Sequence, residues 1–168
     1  DWVTTILEGG DKLILFAHHR DIQRQIYEAF KDQSVHIFGD DTAQARQDAV
    51  DRFQNDPNVR LAVCSLIAGG VGITLTAATT VAFVEFGWRP ADHDQAEARA
   101  KRIGQKNSVM AWYLVGELPE GRQTIDRDIM DLVEAKRAVV TQAIDGVTTE
   151  SSGSILWDLV KRLKERAA

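Results

Sequence analysis

The chain has 168 residues, 44% of them hydrophobic and 27% charged, and a formal net charge of −5. That length and apolar share suit one domain, or one domain with a helical tail, and supply a sizeable core. The acidic balance argues against a small freestanding nucleic-acid-binding module, which is basic overall, while leaving room for a local basic face in a larger assembly.

No apolar run is long enough to span a membrane and no signal-peptide pattern leads the chain, so no membrane partner is expected. Asp1 in place of an initiator methionine reads as a processed product or a piece of something longer. The single cysteine, Cys64, lies in the apolar run Leu61-Ala62-Val63-Cys64 and is expected to be a buried structural thiol. One cysteine allows no internal disulfide, which fits a reducing cytoplasm, with nucleoid association if the source is bacterial. The four histidines do not cluster with Cys, Asp or Glu at metal spacing, and His18-His19 are expected on opposite sides of an extended strand.

In chain order, Asp1–Leu7 reads as the end of a helix, stopped by Gly9-Gly10. Lys12–Ala17 is a short apolar run suited to a strand covered on both faces. Arg20–Phe30 carries Ile22, Ile26, Tyr27, Ala29 and Phe30 at helical spacing. Val35–Phe38 is a second strand, closed by the turn Gly39-Asp40-Asp41. Thr42 is a good N-cap for a helix Ala43–Gln54, with Ala45, Ala49, Val50 and Phe53 facing inward. Val59–Ser65 is a third strand and Thr80–Glu85 a fourth. Trp88-Arg89-Pro90 introduces a helix predicted over Asp92–Ile103, with Gly104 as a left-handed cap. Ser108–Val115 is a fifth strand, and Thr124 caps a long helix reaching Ile144. A polar linker and an amphipathic helix, Ile155–Arg166, end the chain. The alternation predicts an α/β layer fold with a mostly parallel sheet. The domain plan is a lobe over 1–145, a linker over 146–154 and a terminal helix over 155–168.

Two stretches carry chemistry. Gly69-Gly70-Val71-Gly72 places three glycines in four residues after a strand. Such loops bring backbone N–H groups close to phosphates, and a tight turn needing positive φ explains them equally well. In Asp94–Gln105, Arg99 and Arg102 stand at i and i+3, a spacing that puts two multi-donor cations on one face of a helix. A solvated face with ion pairs to Asp94 and Glu97 is the plainer explanation. No Walker A loop, G-x-x-x-x-G-K-S/T, and no acidic magnesium box accompany them. Phosphate-facing arginines without the loop that holds a nucleotide describe half of a two-part site. One domain holds the nucleotide and the other supplies an arginine finger.

These pieces resemble the second RecA-like lobe of Swi/Snf-family ATPases, within helicase superfamily two. The likeness is greatest to annealing-helicase (HARP-like) and related bacterial or phage members. Lys12–His18 is similar to the family's motif IV strand. Gly39-Asp40-Asp41-Thr42, Arg46 and Phe53 resemble its D-G-x-S/T segment. Ser65–Leu75 with Ala77-Ala78 resembles motif V, and Trp88–Ala91 followed by Gln95–Gln105 resembles motif VI. Thr124-Ile125-Asp126 resembles the T-I-E that opens the closing helix. Arg89, Thr74 and Lys101 stand where the family usually has Asn, Asn and His. The likeness covers Lys12 to Val140.

The resemblance implies a RecA-like three-layer domain with a C-terminal helical extension, acting as one half of an ATP-dependent double-stranded or branched DNA translocase. Arg102 and Arg99 would be the finger candidates, facing ATP with Mg2+ held chiefly by an N-terminal RecA-like lobe. Gln95, Gly70 and Gly72 would support the nucleotide and interlobe face. Thr42, Ser65, Thr74 and Arg89 would contact the DNA backbone. Without the nucleotide-holding loop the isolated chain is expected to hydrolyse no ATP. A non-catalytic interaction domain that kept the fold, binding a partner through its terminal helix, is the alternative. Trp88 is expected as a packing anchor rather than a base-stacking residue.

Overall fold

The computed structural model describes residues 2–67, 72–119 and 124–144, with side chains as far as 138. The chain divides into two units, Asp1–Glu85 with Ala91–Leu114, and Phe86–Pro90 with Val115–Ala168.

The first unit is built on one sheet. β1 (Leu13–Ala17), β3 (Leu61–Ser65) and β4 (Thr80–Phe83) are buried at every position. Strands covered on both faces have no polar side to alternate with, which is why they read as continuous apolar runs. β2 (Ser34–Ile37) and β5 (Met110–Tyr113) form the edges, and β5 is exposed or half-buried throughout. The order is β2-β3-β1-β4-β5 and every pairing is parallel, as the alternation predicts. The chain builds β2 and β3 on one side of β1, then crosses to build β4 and β5 on the other. That switch of direction opens a crevice outside the carboxyl ends of the central strands, where sheets of this kind bind ligands.

The helices are held by specific polar contacts. α1 (Trp2–Glu8) stops at Gly9-Gly10, where Gly10 has φ 91, and the Arg60 guanidinium donates to the Leu7 carbonyl. α2 (Arg20–Ala29) buries Gln23, whose amide donates to the carbonyls of Ala17 and His18 at 2.9 and 3.1 Å and so closes the end of β1. α3 (Ala43–Asn55) starts at Thr42, whose hydroxyl accepts the Ala45 N–H at 3.1 Å as a cap should. At its other end the Lys12 ammonium donates to the carbonyls of Phe53 and Asp56, placing a cation on the negative pole of the helix. Burial lowers the Lys12 pKa, and the nearby Asp56 opposes that.

Ala49, Val50 and Phe53 of α3 are buried, but Ala45 is exposed, contrary to the expected inward face. At 3.6 residues per turn Ala45 lies about 80° around the helix from Phe53, on the side away from Val50. Truncating the fully buried Phe53 to alanine would cost about 3–5 kcal/mol. Loss of the Thr42 cap would cost nearer 1 kcal/mol. Packing at Phe53, more than the cap, therefore fixes α3.

Register places Phe16, Phe83 and Tyr113 side by side on β1, β4 and β5. Their rings form a stacked row, with centroids 5.5 and 4.7 Å apart. His93 of α4 (Pro90–Glu97) lies on that row, 5.1 Å from Phe83 and 5.6 Å from Tyr113. Ring stacking thus sets the distance of α4 from the sheet. Cys64, at the end of β3, is 1% exposed, and burial pushes its thiol up to about 12 against the opposing pull of the Arg99 charge.

In the second unit, α5 (Ile125–Ile144) buries Ile129, Leu132 and Val133. The loop before it is tied by two bonds: the Thr124 hydroxyl donates to the Gly116 carbonyl at 2.7 Å, and the Gly116 N–H donates to Asp126 at 3.1 Å. A Cβ at position 116 would sit 3.1 Å from that carboxylate, which suits glycine. Trp88 is not the expected packing anchor. Its side chain is 48% exposed, and its carbonyl accepts from Lys136 Nζ at 3.1 Å. The linker and terminal helix expected after Ile144 lie outside the described residues.

The histidine pair also departs from expectation. β1 ends at Ala17, so His18 and His19 are not strand residues, and their rings meet edge-on at 5.0 Å. Both backbone N–H groups donate to Glu85 Oε2, at 2.9 and 2.8 Å, and His19 Nδ1 lies 2.7 Å from Oε1. Burial alone would raise the Glu85 pKa. The bonds from the His19 backbone, the His19 ring and the His18 backbone outweigh it, so the folded value lies below the ordinary one. A carboxylate with a depressed folded pKa contributes stability that is complete above the unfolded value, about 4.3, and is lost as pH falls through the folded value. Glu85→Gln should therefore lower the urea midpoint of the chain near neutrality, and its deficit against wild type should shrink to nothing only once the pH has fallen below the folded value, itself under about 4.3. An equal deficit at every pH would show that the carboxylate charge contributes nothing.

Candidate functional site

The site is assembled by two loops at the carboxyl edge of the sheet, one following β3 and one following α4. α4 begins well, with Pro90 in its first turn and Asp92 near its positive pole. It ends at Glu97, six residues before the predicted end at Ile103. The cause is a partner from elsewhere in the chain. The Arg99 carbonyl accepts the Leu75 N–H at 3.0 Å. The backbone tightens into short turns instead, with the Arg99 and Ala100 N–H groups reaching back to Ala96 and Glu97, both at 3.1 Å, and the Arg102 N–H to Ala100 at 3.0 Å. Gly104, with φ 105, supplies the positive-φ position of a final reverse turn closed by Gln105 N–H to Arg102 O at 2.9 Å. It ends this turn and not a helix.

The arginines are consequently not two residues of one helical face. Arg99 is 6% exposed and points into the protein, whereas Arg102 is exposed. Arg99 Nε is buried with no hydrogen-bond partner among the described residues. Burial lowers the pKa of its guanidinium, and the nearby positive charge of Arg102 lowers it further, with Cys64 acting the other way. Arg102 Nη1 donates to the Gly72 carbonyl at 3.2 Å and to Thr74 Oγ1 at 3.0 Å. One guanidinium is thus largely buried and the other exposed, and the two charges oppose each other.

The neighbouring carboxylates are committed. Glu97 accepts from the Tyr113 hydroxyl at 2.8 Å and from Lys101, which ties the end of α4 to β5. The plainer explanation of this stretch, ion pairs to Asp94 and Glu97, thus meets a Glu97 that is bonded to Lys101 and Tyr113. Asp41 accepts the Phe38 N–H at 2.6 Å and faces His36, which is the expected turn chemistry, whereas Asp40 sits in the turn but spends its carboxylate on an ion pair with Arg20.

The other sequence-predicted residues divide. Thr74 and Gly72 are drawn to Arg102. Around Gly72 the space is open among the described residues, since a Cβ there would meet nothing within 4 Å. Gly70 lies outside the described residues. Ser65 is buried at the end of β3, and Thr42 follows β2 at the same edge, already engaged as the α3 cap. Gln95 is exposed on α4 and makes no part of the Arg102 contacts. Arg89 is exposed in the second unit.

Two residues that sequence reasoning passes over hold the loops together. Gln105 donates through Nε2 to the carbonyls of Thr76 and Ala78, at 3.0 and 2.8 Å, while its Oε1 accepts the N–H groups of Lys106 and Asn107. Gln54 of α3 donates to Thr76 Oγ1 at 3.1 Å and accepts the Ala77 N–H at 2.8 Å. No periodicity marks such residues, because the bonds that join the loops, to Thr76, Ala77 and Ala78, reach more than twenty residues along the chain.

The geometry has counterparts in known proteins. Residues 1–104 match the model of the helicase conserved C-terminal domain. Over 134 residues the chain is 39% identical to a Caenorhabditis elegans protein, the "SWI/SNF-related matrix-associated actin-dependent regulator of chromatin subfamily A-like protein 1 homolog", covering 78% of this chain and 19% of that one. Over 169 residues it is 32% identical to the human "DNA annealing helicase and endonuclease ZRANB3", covering 96% of this chain and 15% of that protein. The chain thus spans a fifth or less of these relatives. Among solved structures, the C-terminal part of the Fun30 ATPase domain aligns with a TM-score of 0.67 at 26% identity, covering 76% of this chain and 40% of that one. The Sulfolobus solfataricus SWI2/SNF2 ATPase core in complex with dsDNA aligns with a TM-score of 0.63 at 29% identity, covering 82% and 28%. The parallel sheet with its flanking helices is the RecA-like fold of those ATPase cores. The chain belongs to the helicase conserved C-terminal domain family, in its SWI/SNF-related branch.

Proposed function

We propose that this chain is the C-terminal motor lobe of an ATP-dependent double-stranded DNA translocase or remodeller, supplying Arg102 and Arg99 to a nucleotide held chiefly by an N-terminal RecA-like lobe. The observation that carries this reading is the pair of guanidiniums in the loop after α4, one of them buried with an Nε that has no hydrogen-bond partner among the described residues. A buried charge left short of hydrogen bonds costs stability unless something else uses it. The donor set suits the phosphate chain of ATP and repels its magnesium ion, so the metal belongs with the partner lobe.

On this reading Arg102 neutralises charge that builds on the transferring phosphoryl group, and Arg99 holds the field at that point positive. Phosphoryl transfer asks the protein mainly for positioning and charge, and both arginines are positioned by backbone bonds rather than by a flexible helix face. Gly72, with open space beside it, and Thr74 lie where a phosphate or the partner lobe would approach. Thr42 and the α3 N-terminus, with Ser65 and Arg89, are the proposed contacts to DNA phosphates. Such contacts read the backbone and not the sequence.

In the full-length protein Arg102→Ala should lower DNA-stimulated ATP turnover by roughly a thousandfold or more while duplex binding, followed by fluorescence anisotropy, stays largely intact. Near-normal turnover would remove Arg102 from the finger role. Arg99→Met separates function from fold. Replacing a dehydrated, incompletely bonded charge with an apolar side chain of similar length should leave the unfolding midpoint of the chain unchanged or raised, while turnover collapses. A marked fall in the midpoint would mean that the guanidinium serves the fold.

A further inference from the structure

The segment Gly72–Ala78 is bonded from two sides. From one side come Arg102, to Gly72 and Thr74, the Arg99 carbonyl, to the Leu75 N–H, and Gln105, to Thr76 and Ala78. From the other side comes Gln54, near the C-terminus of α3. Its amide engages both the side chain of Thr76 and the backbone of Ala77. Gln54 and Gln105 therefore grip the same turn, and Thr76 meets both.

α3 is well suited to carry a force to that turn. It is 13 residues long, about 20 Å, with Thr42 capping one end and Lys12 fastening the other. Phe53, the neighbour of Gln54, is fully buried, so the helix cannot roll without disturbing the core. A load applied at the Thr42 end displaces Gln54 as part of a rigid rod. A displaced Gln54 pulls on Thr76 and Ala77, and the bonds of Leu75 and Thr74 pass that displacement to the backbone of Arg99 and the side chain of Arg102.

We propose that Gln54 is a positioning residue that couples occupancy of the α3 N-terminus by a DNA phosphate to the placement of Arg99 and Arg102. This rests on the motor reading. Gln54 touches neither nucleotide nor DNA. Its two bonds set where the turn stands, and the turn sets where the arginines stand. DNA then raises turnover by fixing the arginine pair, and not by tightening ATP binding.

The test uses the full-length protein and four measurements: ATP turnover with and without duplex DNA, KM for ATP, duplex affinity, and the melting temperature. Gln54→Leu keeps helix propensity and approximate volume but removes both bonds. It should lower the DNA-stimulated kcat by roughly tenfold, the equivalent of one or two lost hydrogen bonds. The DNA-free rate, KM for ATP and duplex affinity should hold. Gln54→Glu can still accept from the Ala77 N–H and from the Thr76 hydroxyl, and should restore most of the stimulation. Thr76→Val removes one arm without touching α3, and should lower stimulation less than Gln54→Leu does. It gives the same comparison if Gln54→Leu fails to fold. Unchanged stimulation in these variants overturns the coupling. So does an equal fall in the DNA-free and stimulated rates together with the melting temperature, which marks a purely structural role. A wild-type protein that hydrolyses ATP without any response to DNA overturns the motor reading itself, and the coupling with it.

Discussion

The hydrogen bond from the Leu75 N–H to the Arg99 carbonyl is the contact on which the rest of the site depends. A helix continuing past Glu97 would have kept that carbonyl for its own ladder. Given to Leu75, it stops α4, turns the backbone, and sends Arg99 inward while Arg102 stays at the surface. The same bond joins the loop after β3 to the loop after α4, so two stretches far apart in sequence become one structure. Every other contact at the site, from Arg102 to Thr74 and from Gln105 to Ala78, reinforces that junction.

The junction needs a firm floor, and the sheet supplies it. Parallel register puts Phe16, Phe83 and Tyr113 in one stacked row, and His93 settles α4 on top. The Tyr113 hydroxyl then reaches Glu97, the last residue of α4. The helix is fixed at its middle by apolar stacking and at its end by a hydrogen bond. The loop beyond Glu97 carries the buried Arg99, whose Nε has no partner among the described residues, on ground that is over-determined.

Much of this is legible in the chain itself. Central parallel strands declare themselves as apolar runs, and β1, β3 and β4 fall within such runs. Thr42 as a cap, Cys64 as a buried thiol and Asp41 as a turn residue follow from local chemistry, and local chemistry decides them. Where the outcome is set by distant partners, sequence reading fails. Arg99 and Arg102 have helical spacing, yet a residue 24 positions upstream of Arg99 ends the helix. His18 and His19 look like a continuation of the strand before them, but Glu85 draws both backbones to itself just past the end of β1. Ala45 has an apolar side chain in a plausible register, but the buried arc of α3 is too narrow to include it. Gln54 and Gln105 look like ordinary polar residues because a side-chain amide that bonds a far loop leaves no periodic trace.

Cys64 has a practical consequence. It is the only cysteine of the chain, and it is sealed beneath the end of β3 with its thiol held protonated far above neutrality. Maleimide and other thiolate-directed dyes need both access and ionisation, and here they have neither. The natural chain is thus ready for single-site labelling. A cysteine introduced at an exposed position such as Ala45 would take a fluorophore alone, with the native core untouched. Fluorescence from that one label could then follow α3 in real time within a chain whose interior chemistry stays silent.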